Sequence, residues 1–312
     1  MNLPSFESQA SEIVALDGRV YHLGLTPDEL APNVFLVGDP ARAAKVASYF
    51  DHVLYEVTNR EFKTYTGIYR ELPVSVIGTG IGADNVEIAF VEAFVLNEFD
   101  LETKYRKPGA VPMTMIRLGT SGGVQPDVAP GTLVVSDYAI GLDSTGPYYE
   151  VPAGDEKMVT IEKEARRLVN EGISVESRFR SFAAPYVSKA SNEVIDALEL
   201  SAATHEFEYK RGITVTSPGF YGPSSRFIDG FSNTVSDIKL RLAELAVDGS
   251  RVLNMEMESS LLFHLAGAVG YYAGTICPII SGPTEADSLI DYNEAIDKTI
   301  KTGLAAMALL KS

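Results

Sequence analysis

The chain has 312 residues, 46% of them hydrophobic, with 26 basic and 42 acidic side chains and a formal net charge of −16. That is enough apolar material for a sizeable core without covalent staples, and the acidic balance excludes a surface that coats nucleic acid, which needs a basic face. The same charge repels anions at long range, so any phosphate site must be built locally from aimed arginines and backbone amides.

The N-terminal stretch MNLPSFESQASEIVALDG carries acids but no basic region or apolar run, so no signal peptide is expected. No apolar run is long enough to span a bilayer. Residues 1–20 are expected to form an extension and 21–312 one domain. The first strand is expected at 33–39 (NVFLVGD), followed by a helix over 40–50 that Pro40 opens. A second strand, 73–80, leads into an amphipathic helix over 83–99. Strands follow at 114–120 and 131–142, then a helix over 155–172 with a glycine stop. The strand at 212–220 runs into a Pro/Gly/Ser loop. Helices are expected at 232–246 and 256–268, a strand at 271–281 and a last helix over 291–310. Alternating strands and helices point to an α/β fold with a largely parallel sheet covered on both faces.

In such folds ligands collect beyond the carboxyl ends of the strands. Four strands end in glycine-rich or polar turns: GDPAR, GTGIGADN, IRLGTSGG and SPGFYGPSSR. The segment GTGIGA (78–83) matches a dinucleotide fingerprint, but Asp100, at about the right spacing for the acidic partner, follows a helix rather than a second strand, which speaks against that reading. Gly38 lies at a strand end and Arg42 in the first turn of the next helix, where free amides and the macrodipole favour an anion. Arg117 stands inside the apolar strand TMIRLGT. A buried arginine needs an anionic partner, so an oxyanion site is expected there, with the Thr120 hydroxyl beside it. Glu256 and Glu258 precede an apolar helical run, and a carboxylate there can accept from two vicinal hydroxyls. Phe220, Tyr221 and Arg226 suit stacking on a nucleobase and reading of its edge. The four histidines show no metal-ligand spacing, and His264, on an apolar helix, reads as core. Cys277, the single cysteine, lies in the apolar run GTICPII. It excludes an intrachain disulfide, reads as a packed thiol, and fits a reducing cytoplasm.

In chain order, YHLGLT, GDPAR, NREFKTYTG, GTGIGADN, IRLGTSGGVQPDVAPGTLVV, FYGPSSR and NMEMESS resemble the nucleoside phosphorylase family, closest to its uridine-cleaving branch. The resemblance implies a single-domain fold with a mixed central sheet, a distorted β-barrel flanked by helices, assembled as dimers or hexamers. It implies phosphorolysis of a nucleoside, uridine first, to free base and ribose 1-phosphate, with phosphate as co-substrate and no organic cofactor. Gly38, Arg42, Arg117 and Thr120 are then expected to bind phosphate, joined by Arg60 from a neighbouring subunit. His22, also from the neighbour, is expected at the ribose 5′-hydroxyl, and Met257 and Glu258, with Glu256 beside them, at the 2′- and 3′-hydroxyls. Phe220, Ser224 and Arg226 face the base. Arg117 and Glu258 are the expected catalytic pair. Glu61, Ile81 and Asn85 correspond to ligands of a monovalent cation in some bacterial relatives, with Asn85 in place of a serine.

Two departures bear on the base. Ser224 stands where the uridine branch carries a glutamine, and Pro283 where bacterial relatives carry a second arginine. The Ser-Asp pair of the purine branch reads Ser281-Gly282 here, so the usual acid for a purine leaving group is absent. A purine phosphorylase, a related nucleosidase and a non-catalytic nucleoside binder are the alternatives. Nucleoside and phosphate are the expected partners, together with further copies of the chain, and neither nucleic acid nor membrane is expected.

Overall fold

The computed structural model describes residues 12–180, 184–282 and 290–311. Pro283 and residues 1–11 of the expected extension lie outside them. The chain folds into two compact units, one comprising residues 1–80 and 85–115, the other 81–84 and 116–312.

The first unit opens with a two-residue hairpin, β1 (Ala15–Leu16) and β2 (Arg19–Val20). Strand β3 (Asn33–Val37) is buried along its whole length. Helix α1 (Pro40–Ala47) follows, with Asp39 capping it by accepting from the Ala41 amide at 2.8 Å. Strands β4 (His52–Asn59), β5 (Phe62–Tyr69) and β6 (Leu72–Gly78) precede helix α2 (Ala83–Glu98). The order is β3-β6-β5-β4, with β3 and β6 parallel and the other pairs antiparallel. The strands expected at 33–39 and 73–80 and the helices after them are present with trimmed ends. The β4–β5 hairpin is not among the sequence expectations. Most of β4 is exposed, so no inward face imposes the alternation that betrays a half-buried strand.

Strand β7 (Thr114–Leu118) carries the chain from one unit into the other. In the second unit lie β8 (Ser121–Gly123), β9 (Leu133–Gly141), helix α3 (Glu156–Glu171), β10 (Tyr186–Lys189), helix α4 (Asn192–Thr204) and β11 (Tyr209–Thr216). Helix α5 (Ile238–Ala243), β12 (Ala246–Val247), β13 (Ser250–Glu256), α6 (Ser259–Val269), β14 (Tyr272–Ser281) and α7 (Tyr292–Lys311) complete it. Strand β9 pairs in parallel with β11, and β11 with β13, whereas β13–β8 and β14–β9 are antiparallel and β14–β8 parallel. The pairings β9–β11–β13–β8–β14–β9 therefore close on themselves. The fold is α/β with mixed strand pairing, as the family resemblance implies. The largely parallel sheet expected from alternating strands and helices is not found among the described residues, because hairpins such as β4–β5 and returns such as β14–β9 pair antiparallel.

Ile161 and Leu168 of α3 and Leu242 of α5 pack with Ile140, Ile213, Val215 and Val252 of the sheet. Burying each such side chain contributes about 1.5–3 kcal/mol. This layer holds the carboxyl ends of β11 and β13 in place. The helix expected over 232–246 is confined to α5, and the one expected over 256–268 begins at Ser259, because Glu256 still belongs to a strand. Among the described residues no helix is long and apolar enough to cross a membrane.

Candidate active site

Parallel strands β11 and β13 end in register, with Thr216 opposite Glu256. The Thr216 hydroxyl donates to Glu256 Oε1 at 2.7 Å, and the Ser217 amide to the Glu256 carbonyl at 2.8 Å. Arg117 comes from the interior of β7. Just beyond that strand the Gly119 amide donates to the Ile276 carbonyl of β14 at 3.1 Å. A Cβ on Gly119 would lie 2.6 Å from Cys277 Sγ and 2.8 Å from Arg117 Nη2, so only glycine lets strand, thiol and guanidinium close up here.

Two carboxylates of the chain itself, rather than a bound oxyanion, partner Arg117 here. Arg117 Nε donates to Glu256 Oε2 at 2.9 Å, and its Nη2 pairs closely with Glu258 Oε2. All three side chains are buried, at 5% exposure or less. Glu256 also accepts from the Glu258 amide at 3.0 Å and from the Ser259 amide at 3.0 and 3.1 Å. Glu258, just ahead of α6, accepts from the Gly82 amide at 2.8 Å. The turn GTGIGA thus serves to aim an amide at a carboxylate, with Gly82 at φ 103°. Asp100 instead caps its own loop, accepting from the Thr103 amide and hydroxyl at 2.7 and 2.8 Å.

Burial pushes the Glu258 carboxyl up, and the Glu256 charge adds to the rise; Arg117 and the Gly82 and Met257 amides oppose it without cancelling it. Burial works against the charge on Arg117, but Glu258 and Glu256 outweigh it, so the guanidinium is held more firmly protonated than usual. Met257 is half-buried between the two glutamates, and Thr120 is half-buried just past the end of β7.

The expected base-facing loop follows β11. Arg226 lies 3.8 Å from the Phe220 ring centroid and donates through Nη1 to the Phe220 carbonyl at 2.7 Å. Burial holds the Arg226 pKa below its ordinary value. The Ser224 hydroxyl is buried inside the loop, 2.7 Å from the Gly219 carbonyl oxygen and 3.0 Å from the Ser217 hydroxyl. Phe220, Tyr221, Phe227 and Phe231 are exposed.

In the first unit Arg42 is buried in the first turn of α1, and Gly38 lies so close to Gly80 that a Cβ would meet its carbonyl oxygen at 3.3 Å. His22 is anchored by Glu92 of α2, which accepts from the His22 and Leu23 amides at 2.8 and 2.7 Å and contacts His22 Nδ1 at 2.7 Å. Arg60, at the hairpin turn with φ 51°, stacks on Tyr21 at 4.6 Å. Glu61 and Ile81 are exposed, and Asn85 Nδ2 would lie 2.6 Å from a Cβ on Gly80. Among the described residues no three His, Cys, Asp or Glu side chains are grouped to hold a metal. Cys277 is a buried thiol, and His264 is a core residue contacting the Tyr149 carbonyl at 2.8 Å.

The structure thus brings Arg117, Glu256 and Glu258 together and ties Ser224 into its own loop. The sequence reading missed Thr216, Gly82, Gly119 and Glu92. Thr216 and Glu92 act through partners distant in sequence that no local pattern marks, whereas Gly82 and Gly119 lie in the glycine-rich turns GTGIGA and IRLGTSGG without their contacts being readable from them.

Comparison with known proteins gives the family. Residues 32–311 match the phosphorylase superfamily. The uridine phosphorylase of Thermococcus kodakarensis is 29% identical over 271 residues, covering 85% of this chain and 78% of that protein. A crystal structure of a Trypanosoma brucei nucleoside phosphorylase, described as showing uridine phosphorylase activity, superposes with a TM-score of 0.84 at 31% identity, over 95% of this chain and 99% of that one. The purine nucleoside phosphorylase of Toxoplasma gondii shares the fold, with a TM-score of 0.68 at 22% identity, over 96% of this chain and 99% of that one. The chain belongs to the phosphorylase superfamily.

Proposed function

We propose that this chain is a pentosyltransferase that cleaves uridine with phosphate, releasing uracil and ribose 1-phosphate. The observation that carries the reading is a buried arginine at a strand end, held between two carboxylates and followed by a threonine. This is the order that the phosphate- and ribose-binding motifs require. Similarity to a uridine phosphorylase over 85% of this chain, and to a nucleoside phosphorylase structure with that activity over 95%, supports the choice of base.

In the reaction the C1′–N1 bond breaks, its electron pair leaves with the base, and a phosphate oxygen forms the new bond to C1′. Positive charge builds on the sugar and negative charge on the base, so positioning and electrostatics supply most of the acceleration. Arg117 and Thr120 address the phosphate. Glu258 and the Met257 amide hold the 2′- and 3′-hydroxyls. Phe220 offers a flat face to the base, and Arg226 a donor for its developing charge. The phosphate roles of Gly38 and Arg42, and those of Arg60 and His22 from a neighbouring subunit, complete the assignment on the strength of the motifs. Homo-oligomeric assembly and a cytoplasmic location belong to the same proposal. Glu61, Ile81 and Asn85 each offer an oxygen donor, which suits a hard monovalent cation, and no step is routed through it.

The test is base release from uridine, with inosine in parallel, with and without phosphate. Phosphate-dependent uracil release is expected. Cleavage of inosine alone moves the specificity to purines, phosphate-independent release points to a nucleosidase, and turnover of neither leaves a binding protein.

A further inference from the structure

The resemblance sets Glu258 at the ribose with Glu256 beside it, and the structure gives the two carboxylates different surroundings. A carboxylate has about four acceptor positions. Glu256 takes five hydrogen bonds from four donors: the Thr216 hydroxyl, Arg117 Nε, and the Glu258 and Ser259 amides, the last of these shared between its two oxygens. No capacity is left for a sugar hydroxyl. Glu258 has the Gly82 amide on one oxygen and Arg117 Nη2 on the other, with the Met257 amide as a third donor, against the five hydrogen bonds on Glu256. It is held less fully and retains capacity.

We propose that Glu256 is a positioning residue rather than a sugar ligand: it fixes the Arg117 guanidinium toward phosphate and leaves Glu258 as the carboxylate that meets the ribose. This rests on the assignment of Arg117 to phosphate. The lock reaches further into the core. The Thr216 hydroxyl that donates to Glu256 accepts from the Ser260 amide at 2.9 Å, and the Ser260 hydroxyl lies 3.1 Å from the Tyr186 hydroxyl, which donates to Asp143 at 2.8 Å. Tyr186 fits because Gly141 and Gly146 leave room; a Cβ on either would come within 2.3 Å of its ring. Arg117 is thereby referenced to the β9, β10 and α6 framework rather than to a loop.

The same placement has an electrostatic consequence. Glu258 faces Arg117 from β7, Glu256 from β13 and the Gly82 amide; the Cys277 thiol of β14 lies near Arg117, and the Ser260 hydroxyl reaches Asp143. Glu256 is the nearest like charge, and it helps keep Glu258 protonated to higher pH than an ordinary carboxyl. Removing that charge lets Glu258 ionise at lower pH.

The experiment compares E256Q, E258Q and wild type for phosphate KM, for the preference of uridine over 2′-deoxyuridine, and for the acid limb of kcat/KM. In E256Q we expect phosphate KM to rise about tenfold, as for a weakened charge-assisted contact. Its ribose preference should match wild type, and its acid limb should move down by about one pH unit. In E258Q the ribose preference should collapse. T216V, which removes one donor from Glu256 without touching a charge, should raise phosphate KM about threefold, as for a neutral hydrogen bond, and leave the preference intact; it carries the test if E256Q does not fold. Loss of ribose preference in E256Q overturns the proposal, as does wild-type phosphate KM with an unmoved acid limb. If the Arg117→Ala variant keeps full phosphate-dependent turnover, the phosphate assignment fails instead, and the two failures are told apart.

Discussion

Arg117 and Arg226 are assigned to opposite ends of the same substrate, the phosphate and the base, and their surroundings have little in common. Arg117 is buried inside a strand, clamped by two carboxylates and backed by a chain of hydroxyls and amides drawn from β10, β11 and α6. Arg226 sits on a loop among exposed aromatic side chains, stacked on Phe220 and tied to one carbonyl. The contrast follows from the two tasks. Stabilising charge at a reacting centre requires donors that need not reorganise, which a saturated, water-excluding cluster provides. Reading a base requires contact area and room for the base to enter and leave, which a loop over a fixed sheet end provides.

If that contrast is right, Arg117→Ala should have the largest effect. It removes an aimed donor and leaves two buried carboxylates facing each other. A loss of about 10²–10³ in phosphate-dependent turnover is expected, with a stability loss of about 3–5 kcal/mol from the uncompensated charges. Steady-state kinetics and urea unfolding measure the two. Undiminished turnover in a folded variant would remove Arg117 from the phosphate site.

Gly119→Ala probes the same cluster without changing a charge. The added methyl would meet Cys277 Sγ at 2.6 Å and Arg117 Nη2 at 2.8 Å, so the guanidinium must shift. About 1–3 kcal/mol of overpacking strain is expected, and kcat should fall by about tenfold or more, because small displacements of a positioned group are costly. Combining it with Cys277→Ala, which clears one of the two clashes, should recover part of the stability and little of the rate. Full recovery of both would mean that Cys277 rather than Arg117 is what Gly119 accommodates.

How far the sequence foretold this division differs between the two regions. The order of strands and helices was legible where burial leaves a plain pattern, as continuous apolar runs in the wholly buried β3 and β9 and as helical spacing in α3. It was not legible in β4, whose residues are mostly exposed. Helix α4 shows the opposite case: its buried Val194, Ile195, Leu198 and Ala202 carry helical spacing that the reading passed over. Arg117 stood out because a charge inside an apolar strand demands a partner, but the partners could not be named from spacing, since Glu256 is 139 residues away. The resemblance set Glu258 apart from Glu256, but nothing in their spacing gave a reason for the difference. Saturation of a carboxylate by Thr216 and three other donors is a property of the folded arrangement, not of the letters NMEMESS.

Arg226→Ala moves to the open end of the comparison. It should raise the uridine KM about tenfold, as for one lost charge-assisted hydrogen bond, while costing only about 1–2 kcal/mol of stability, because Arg226 is half-buried and tied to the Phe220 carbonyl. A large fall in Tm would show that the loop is structurally coupled to the core and that the division is overdrawn.

Ser224→Ala is the mildest and most discriminating change. Ser224 stands at the glutamine position of the uridine-cleaving branch, yet its hydroxyl is buried against the Gly219 carbonyl and the Ser217 hydroxyl, leaving the base to Phe220 and Arg226. Removing the hydroxyl should cost about 0.5–1.5 kcal/mol of stability and raise the uridine KM only about threefold through a looser loop. The ratio of uridine to inosine cleavage should not change, because a residue that only braces the loop weakens all bases alike. A changed ratio would place Ser224 at the base edge in the bound state. The loop would then refold around its ligand, and its free conformation would be a poor guide to specificity.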